Sequence, residues 1–246
     1  LINYPVEKWL ARYTDALITI NSEDFELAKA KFRLRKNGKI YYVPGVGIDT
    51  SQYNLSEKSR EAKRLELELS KNDVALISMG DLIERKNYST AIRSIAEAND
   101  PKLQYFICGK GPEEEKLKAL AESLGVIKQI HFLGFRSDIK ELLAAADIFL
   151  FTTKQEGLPR SMMEAMASGL PCIASKIRGN TDLITDNEGG FLCEPSNSSG
   201  FAEAIDLLCN NKSLCNEMGR FNKAKIKDFD ISVSEKAMRN IYAEVL

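Results

Sequence analysis

Histidine and cysteine are scarce in this chain, and long apolar runs are missing. The single histidine, His131, and five cysteines at 108, 172, 193, 209 and 215 form no Cys-x-x-Cys and no paired His. No zinc site, and no metal site of any kind, is therefore expected. An odd number of scattered thiols suits a reducing cytosol better than a disulfide framework. No apolar stretch approaches the ~18 residues that span a membrane. Neither sign of charge dominates: 34 Lys plus Arg face 35 Asp plus Glu, for a net charge of −1. Such a balance supplies no global field for nucleic acid, so no nucleic-acid partner is expected. The 246 residues suffice for one large core or two small ones. They open on Leu1 rather than Met, and a preceding segment of the gene product is expected.

What the chain does have is alternation. Short apolar runs at Val74–Met79, Leu103–Cys108, Gln129–Leu133, Asp147–Thr152, Cys172–Ser175 and Gly190–Cys193 read as strands separated by segments of helical period. Tyr88, Ala91, Ile92, Ile95 and Ala96 repeat at three and four, as do Leu117, Leu120, Ala121 and Leu124. Asn99-Asp-Pro101 stops the first helix and Gly125 the second. The pattern predicts an α/β domain with a Rossmann-like, doubly wound parallel sheet. Its bounds are set at 71–230, with helices from Phe201 and from Ser232 closing it and residues 231–246 as the final helix. Residues 1–50 read differently, as helix, strand at Ala16–Ile20, helix Ser22–Phe32 capped by Ser22, and strand at Lys39–Val43. Too small to bury its own faces, this piece is expected to be the tail of a neighbouring domain. Residues 51–70 are expected to be a linker, with the charged stretch Ser56–Ser70 as a linker helix.

The densest segment is Glu156-Gly-Leu-Pro-Arg-Ser-Met-Met-Glu164. Gly157 and Pro159 end a strand, and a helix is expected to start near Arg160, pointing unpaired N–H groups and a positive dipole end at the loop carrying Glu156. Glu164 lies roughly 6 Å further along the axis. Ionised carboxylates only accept hydrogen bonds, which suits paired sugar hydroxyls; taken alone, the segment fits an ordinary acidic first turn equally well. Other loops fall at strand ends, where ligands bind in such sheets. Gly80-Asp-Leu-Ile-Glu-Arg85-Lys86-Asn87 offers cations for a phosphate. Gly109-Lys-Gly111-Pro is neither a dinucleotide fingerprint nor a P-loop. Gly134-Phe135-Arg136 would let backbone approach a flat ligand.

In this order the motifs resemble glycosyltransferase family four, over about residues 40 to 210. Tyr4-Pro-Val-Glu-Lys-Trp-Leu and Pro44-Gly-Val-Gly-Ile-Asp49 resemble the subgroup that builds bacterial capsular polysaccharides and exopolysaccharides. The resemblance implies a GT-B fold, two Rossmann-like domains facing a cleft, with most of the first missing from this sequence. It implies a retaining, metal-independent hexosyltransferase that uses a nucleotide-diphosphate sugar, with a UDP-sugar as the expected donor, and a glycan or lipid-linked glycan as acceptor. No cofactor is expected. Glu164 would hold the ribose and Glu156 the donor hexose. Amides of Gly157, Leu158, Pro159 and Arg160 would surround sugar and phosphates, although Pro159 itself lacks an N–H. Lys86 would neutralise the departing diphosphate with Arg85 beside it; Gly80, Gly109 and Gly111 would line the site, and backbone at Phe135 and Arg136 would take the base. Catalysis is thus assigned to Glu156 and Lys86. Many relatives carry Arg after the first glycine, where this chain has Asp81. Arg178 and Asn180 are further candidate contacts.

Two alternatives stay open, a nucleotide-sugar epimerase of GT-B fold and a non-catalytic nucleotide-sugar-binding module. His131 and Met162, Met163 and Met166 are read as packing residues. The basic run from Lys29 to Lys39 is read as a solvated helix end, with peripheral contact at the inner face of the plasma membrane as the alternative; a cytoplasmic location is expected in either case.

Overall fold

The computed structural model describes residues 3–245 and divides into two compact units, one of residues 1–49 with 228–246 and one of residues 50–227.

In the first unit, α1 (Asn3–Leu10), β1 (Ala16–Thr19), α2 (Ser22–Lys31) and β2 (Lys39–Tyr42) are followed by a helix at the far end of the chain, Ile231–Val245. The strands pair in parallel, Ala16 opposite Lys39. Ile48 bridges to Asp230 and, with Val43, Phe229 and Ile241, is buried. The cap of α2 is Asn21, one residue before the expected Ser22; its side chain accepts from the Asp24 N–H at 2.8 Å.

The second unit runs α3 (Glu57–Glu66), β3 (Val74–Met79), α4 (Tyr88–Ala98), β4 (Leu103–Cys108), α5 (Glu114–Ser123), β5 (Ile130–Gly134), α6 (Ile139–Ala145), β6 (Ile148–Phe151), α7 (Arg160–Ala167), β7 (Cys172–Ser175), α8 (Asn180–Leu183), β8 (Gly190–Cys193), α9 (Ser198–Cys209) and α10 (Lys212–Lys225). The Ile231–Val245 helix is then α11. All six strands are parallel in the order β5-β4-β3-β6-β7-β8. Strands covered on both faces need no polar alternation, and β6 and β7 are buried throughout. One core joins Leu76, Tyr105, Ile107, Ile148 and Ile173 to Ile92 and Ile95 of α4 and to Phe201 and Ile205 of α9. Met162, Met163 and Met166 are buried where α7 packs on β6 and β7, as a packing role requires.

The expected boundaries need two corrections. Residues 51–70 are not a linker, because α3 packs on α6 inside the second unit. Arg60 Nη1 donates to Ala144 O and Ala146 O at 2.6 and 2.7 Å, while Arg60 and Arg64 both pair with Asp147 at 2.5 and 3.0 Å. These guanidinium groups satisfy carbonyls that the end of α6 leaves unpaired. The final helix, in turn, groups with the first unit rather than closing the second. No helix among the described residues is long and apolar enough to cross a membrane.

Candidate active site

The sheet order reverses between β3 and β6, and both loops rich in candidate residues leave from the carboxyl ends of those two strands. This switch point is where open α/β sheets bind ligands, because adjacent loops diverge to opposite faces and leave a crevice.

Asn87 locks the two loops together. It sits in the left-handed region at φ 56°, and its amide donates to Thr152 O at 2.9 Å and Pro195 O at 2.8 Å. Thr152 returns a hydrogen bond to Asn87 O at 2.9 Å, and Lys154 N–H donates to Arg85 O at 2.9 Å. The side chains preceding Asn87 are thereby aimed across the crevice. Lys86 Nζ lies 2.8 Å from Glu156 Oε1, with the two side chains 13% and 12% exposed. It also sits 5.2 Å from the centre of the Phe151 ring. Gly80 leaves space for this ammonium: a Cβ there would lie 3.2 Å from Lys86 Cε. Arg85 reaches the same carboxylate oxygen at 3.2 Å but is 43% exposed, and Thr153 Oγ1 donates to it at 2.9 Å. Three donors converge on Oε1, while among the described residues none donates to Oε2. Glu156 is a held carboxylate with one oxygen left to accept from something else.

Beyond Glu156 the chain turns through Gly157 and Leu158 to Pro159, which occupies the N-cap position at φ −76° and ψ 116°. The proline thus stands just outside the first turn rather than in it. No side chain caps α7, so its opening N–H groups face the loop unsatisfied by intrahelical bonds, with the positive dipole end behind them. Glu164, one turn in, pairs with Arg160 at 3.0 Å and is 15% exposed. Tyr53, buried where its turn packs on α7, has its pKa pushed up to about 12 by burial first and then by the Glu164 carboxylate. Nothing in the sequence pattern signalled Tyr53, since it comes from the stretch expected to be a linker.

The glycines of the next loop are required by the packing of the two loops. A Cβ on Gly109 would lie 1.9 Å from Gly80 O, and one on Gly111 would lie 2.4 Å from Leu82 O. They let the loops after β3 and β4 pack backbone to backbone, continuing the ladder through Gly80 N–H to Cys108 O and Leu82 N–H to Lys110 O, both 3.0 Å. Phe135 is 78% exposed at the end of β5, free to present a flat wall. The Arg136 guanidinium is turned aside onto Asp138 at 2.7 Å and Glu66 at 2.8 Å, so only its backbone is available to a ligand. Arg178 donates to Glu156 O at 3.4 Å, whereas Asn180 is fully buried and donates to Ser175 O, removing it from the candidate contacts. His131 stacks on Phe106 at 4.7 Å and bonds Gln104, with burial lowering its pKa; it is a structural residue of edge strand β5. Among the described residues no three His, Cys, Asp or Glu gather as metal ligands.

A Rossmann-like parallel sheet with cations, a held carboxylate and an open helix start at its switch point defines a doubly wound α/β domain with a crevice suited to an anionic ligand. The chain belongs to the family described as glycosyl transferases group 1, whose model matches residues 59–225. It is 34% identical to EpsD of Bacillus subtilis (strain 168) over 99% of this chain and 64% of that protein. It is 30% identical, over 98% of this chain and 64% of that protein, to the UDP-Gal:alpha-D-GlcNAc-diphosphoundecaprenol alpha-1,3-galactosyltransferase of Escherichia coli. The chain thus spans just under two thirds of the length of these curated relatives. Among solved structures, HepE of Anabaena in complex with UDP and glucose superposes with a TM-score of 0.88 at 22% identity, covering 98% of this chain and 67% of that one. The GT-B type of α/β fold is therefore shared.

Proposed function

We propose that this chain is the donor-binding part of a retaining glycosyltransferase that moves a hexose from a nucleoside-diphosphate sugar to a glycan acceptor. The observation that carries the reading is the convergence of Lys86, Arg85 and Glu156 beside the uncapped start of α7. When the bond between the sugar and the diphosphate breaks, negative charge gathers on the leaving phosphate. A partly buried ammonium and a helix N-terminus already in position stabilise that charge without reorganising, the positive charge coming from the protein rather than from a divalent ion. Glu156 Oε2 accepts from a hexose hydroxyl, Glu164 accepts from the ribose, and Phe135 borders the base. Retention follows from the family resemblance of the Glu-x7-Glu spacing.

A UDP-sugar donor is supported by the name of the Escherichia coli galactosyltransferase and by the UDP complex of HepE. The same relative supports a lipid-linked acceptor in surface polysaccharide synthesis, with the first unit as the tail of the acceptor-side domain. Contact with a cytoplasmic membrane surface then follows from where such an acceptor is anchored. In the first unit, which also carries the basic run from Lys29 to Lys39, Trp9 and Leu10 are 55% and 48% exposed. Pelleting with liposomes with and without anionic lipid checks that contact, and equal recovery retires it.

The test of donor binding is a melting-temperature screen of UDP, GDP and their sugars. A ligand held at 100 times its Kd adds about 2.7 kcal/mol. A flat panel would overturn donor binding. Transfer of labelled sugar to a lipid-linked acceptor by the full-length protein then tests the reaction, and release of a free epimer in its place would identify an epimerase.

A further inference from the structure

We propose that the second unit holds a separate phosphate-binding pocket at the end of α10, formed by Arg220 and Lys223 of that helix and by Lys227 just beyond it. A cavity of about 350 Å³ opens there, and all three cations line it together with Thr50 and Asn54. No carboxylate is among its lining residues. In a protein of net charge −1 this is a local excess of three positive charges, and none of the residues of the donor site lines it.

Basic residues near a helix C-terminus are ordinarily explained by the helix dipole. That account places cations anywhere around the last turns; it does not gather three of them on one concavity. Lys225, in the same turn, is directed elsewhere, to Thr185 Oγ1 at 2.9 Å. Lys223 is held in place. Its Nζ donates to Asn54 Oδ1 at 3.1 Å, and its stem crosses bare backbone at Gly169, where a Cβ would lie 2.8 Å from Lys223 Cε. Arg220 and Lys227 have no ion-pair partner among the described residues. Three like charges around one hollow repel each other until an anion enters. A guanidinium fork and two ammonium groups match the several acceptor oxygens of a phosphate, and the volume suits a diphosphate or a small phosphate ester. The phosphate can come from a soluble ester or from the headgroup of an anionic lipid.

The probes are inorganic pyrophosphate, titrated calorimetrically at low salt, and phosphatidylcholine vesicles with or without phosphatidylglycerol. Both are applied to Lys86→Ala protein, so that the donor loop contributes little. Arg220→Gln with Lys227→Gln removes two exposed charges without touching the Lys223–Asn54 bond; Lys102→Gln with Lys128→Gln removes two exposed charges elsewhere on the same unit. The pocket predicts that the first pair weakens binding by about tenfold or more and the second leaves it unchanged. Pair-dependent pyrophosphate binding marks a soluble phosphate as the ligand, and pair-dependent vesicle binding marks a headgroup. Equal losses in the two pairs, or no loss in either probe, would overturn the pocket.

Discussion

Lys86 Nζ lies 2.8 Å from Glu156 Oε1, so the cation expected to meet a diphosphate and the carboxylate expected to meet a hexose hold each other when no ligand is between them. A donor entering this crevice must exchange part of that ion pair for its own phosphate. Lys86, 13% exposed and fixed by Asn87 behind it, is the better-placed cation; Arg85 is 43% exposed and loses more freedom on engagement. Lys86→Ala should therefore weaken UDP binding by about 1.5–3 kcal/mol, roughly 10- to 100-fold, and Arg85→Ala by less. Calorimetric titration of both variants with UDP decides it, and equal losses would remove Lys86 as the main phosphate ligand.

Replacing the partner separates sugar from phosphate. Glu156→Gln loosens Lys86 without removing it, so UDP should bind at least as well as before. The added affinity of a UDP-hexose over UDP should fall, because the hydroxyl acceptor at Oε2 is replaced or weakened. A matched pair of titrations reads the difference. A parallel loss for UDP and UDP-hexose would place Glu156 in holding Lys86 rather than in contacting the sugar.

Asn87 sets the geometry that both arguments use. Asn87→Ala leaves Thr152 O and Pro195 O without their donor and puts a Cβ-bearing residue with no polar side chain at φ 56°. The cost should be about 2–4 kcal/mol. Asn87→Gly keeps the left-handed backbone but not the amide, so thermal unfolding of the two variants divides the backbone share from the hydrogen-bond share. If glycine restores full stability, the bridging amide contributes nothing.

The strands of the second unit were readable because buried parallel strands are continuous apolar runs: Val74–Met79, Leu103–Cys108, Cys172–Ser175 and Gly190–Cys193 stand where the pattern put them. The helix start at Arg160 was readable from Gly157 and Pro159 for a local reason, chain breaking. What sequence could not show depended on partners distant in the chain. The buried face of α10 includes Gly219 and Asn222 beside Met218, and the Asn222 amide donates to Leu170 O at 2.8 Å and Gly189 O at 2.6 Å, partners that local sequence does not reveal. The charges of α3 looked like those of a linker because Asp147, their partner, lies more than eighty residues on. Gly109 and Gly111 read as ligand glycines, although the backbone filling the space beside them belongs to the protein's own loop.

Gly179 supports the donor loop from outside. Its φ is +79°, and a Cβ would lie 2.2 Å from Gly157 O. Gly179→Ala must therefore move the segment that carries Glu156 and leads into α7. The proposed donor pose then predicts that binding of a UDP-hexose drops by about tenfold or more, while UDP alone loses less. Unchanged affinities for both would mean that the 156–159 loop does not contact the donor.

The Arg136–Asp138 pair makes stability depend on acid. Arg136, followed by Lys63, holds the Asp138 carboxyl well below the usual carboxylate range, so the folded protein keeps it ionised when an unfolded chain would already be protonated. The resulting stability is fully present above about pH 4, the ordinary value for the unfolded side chain, and is lost as pH falls from there toward the depressed folded value. Urea unfolding between pH 5 and pH 2 should show this loss in the wild type. In Asp138→Asn the slope should be shallower, with a lower plateau at pH 5, because the titrating group is gone along with the charged pair. Parallel curves for the two proteins would show that the pair contributes no differential proton binding, leaving Arg136 free in solution to turn from Asp138 toward a ligand.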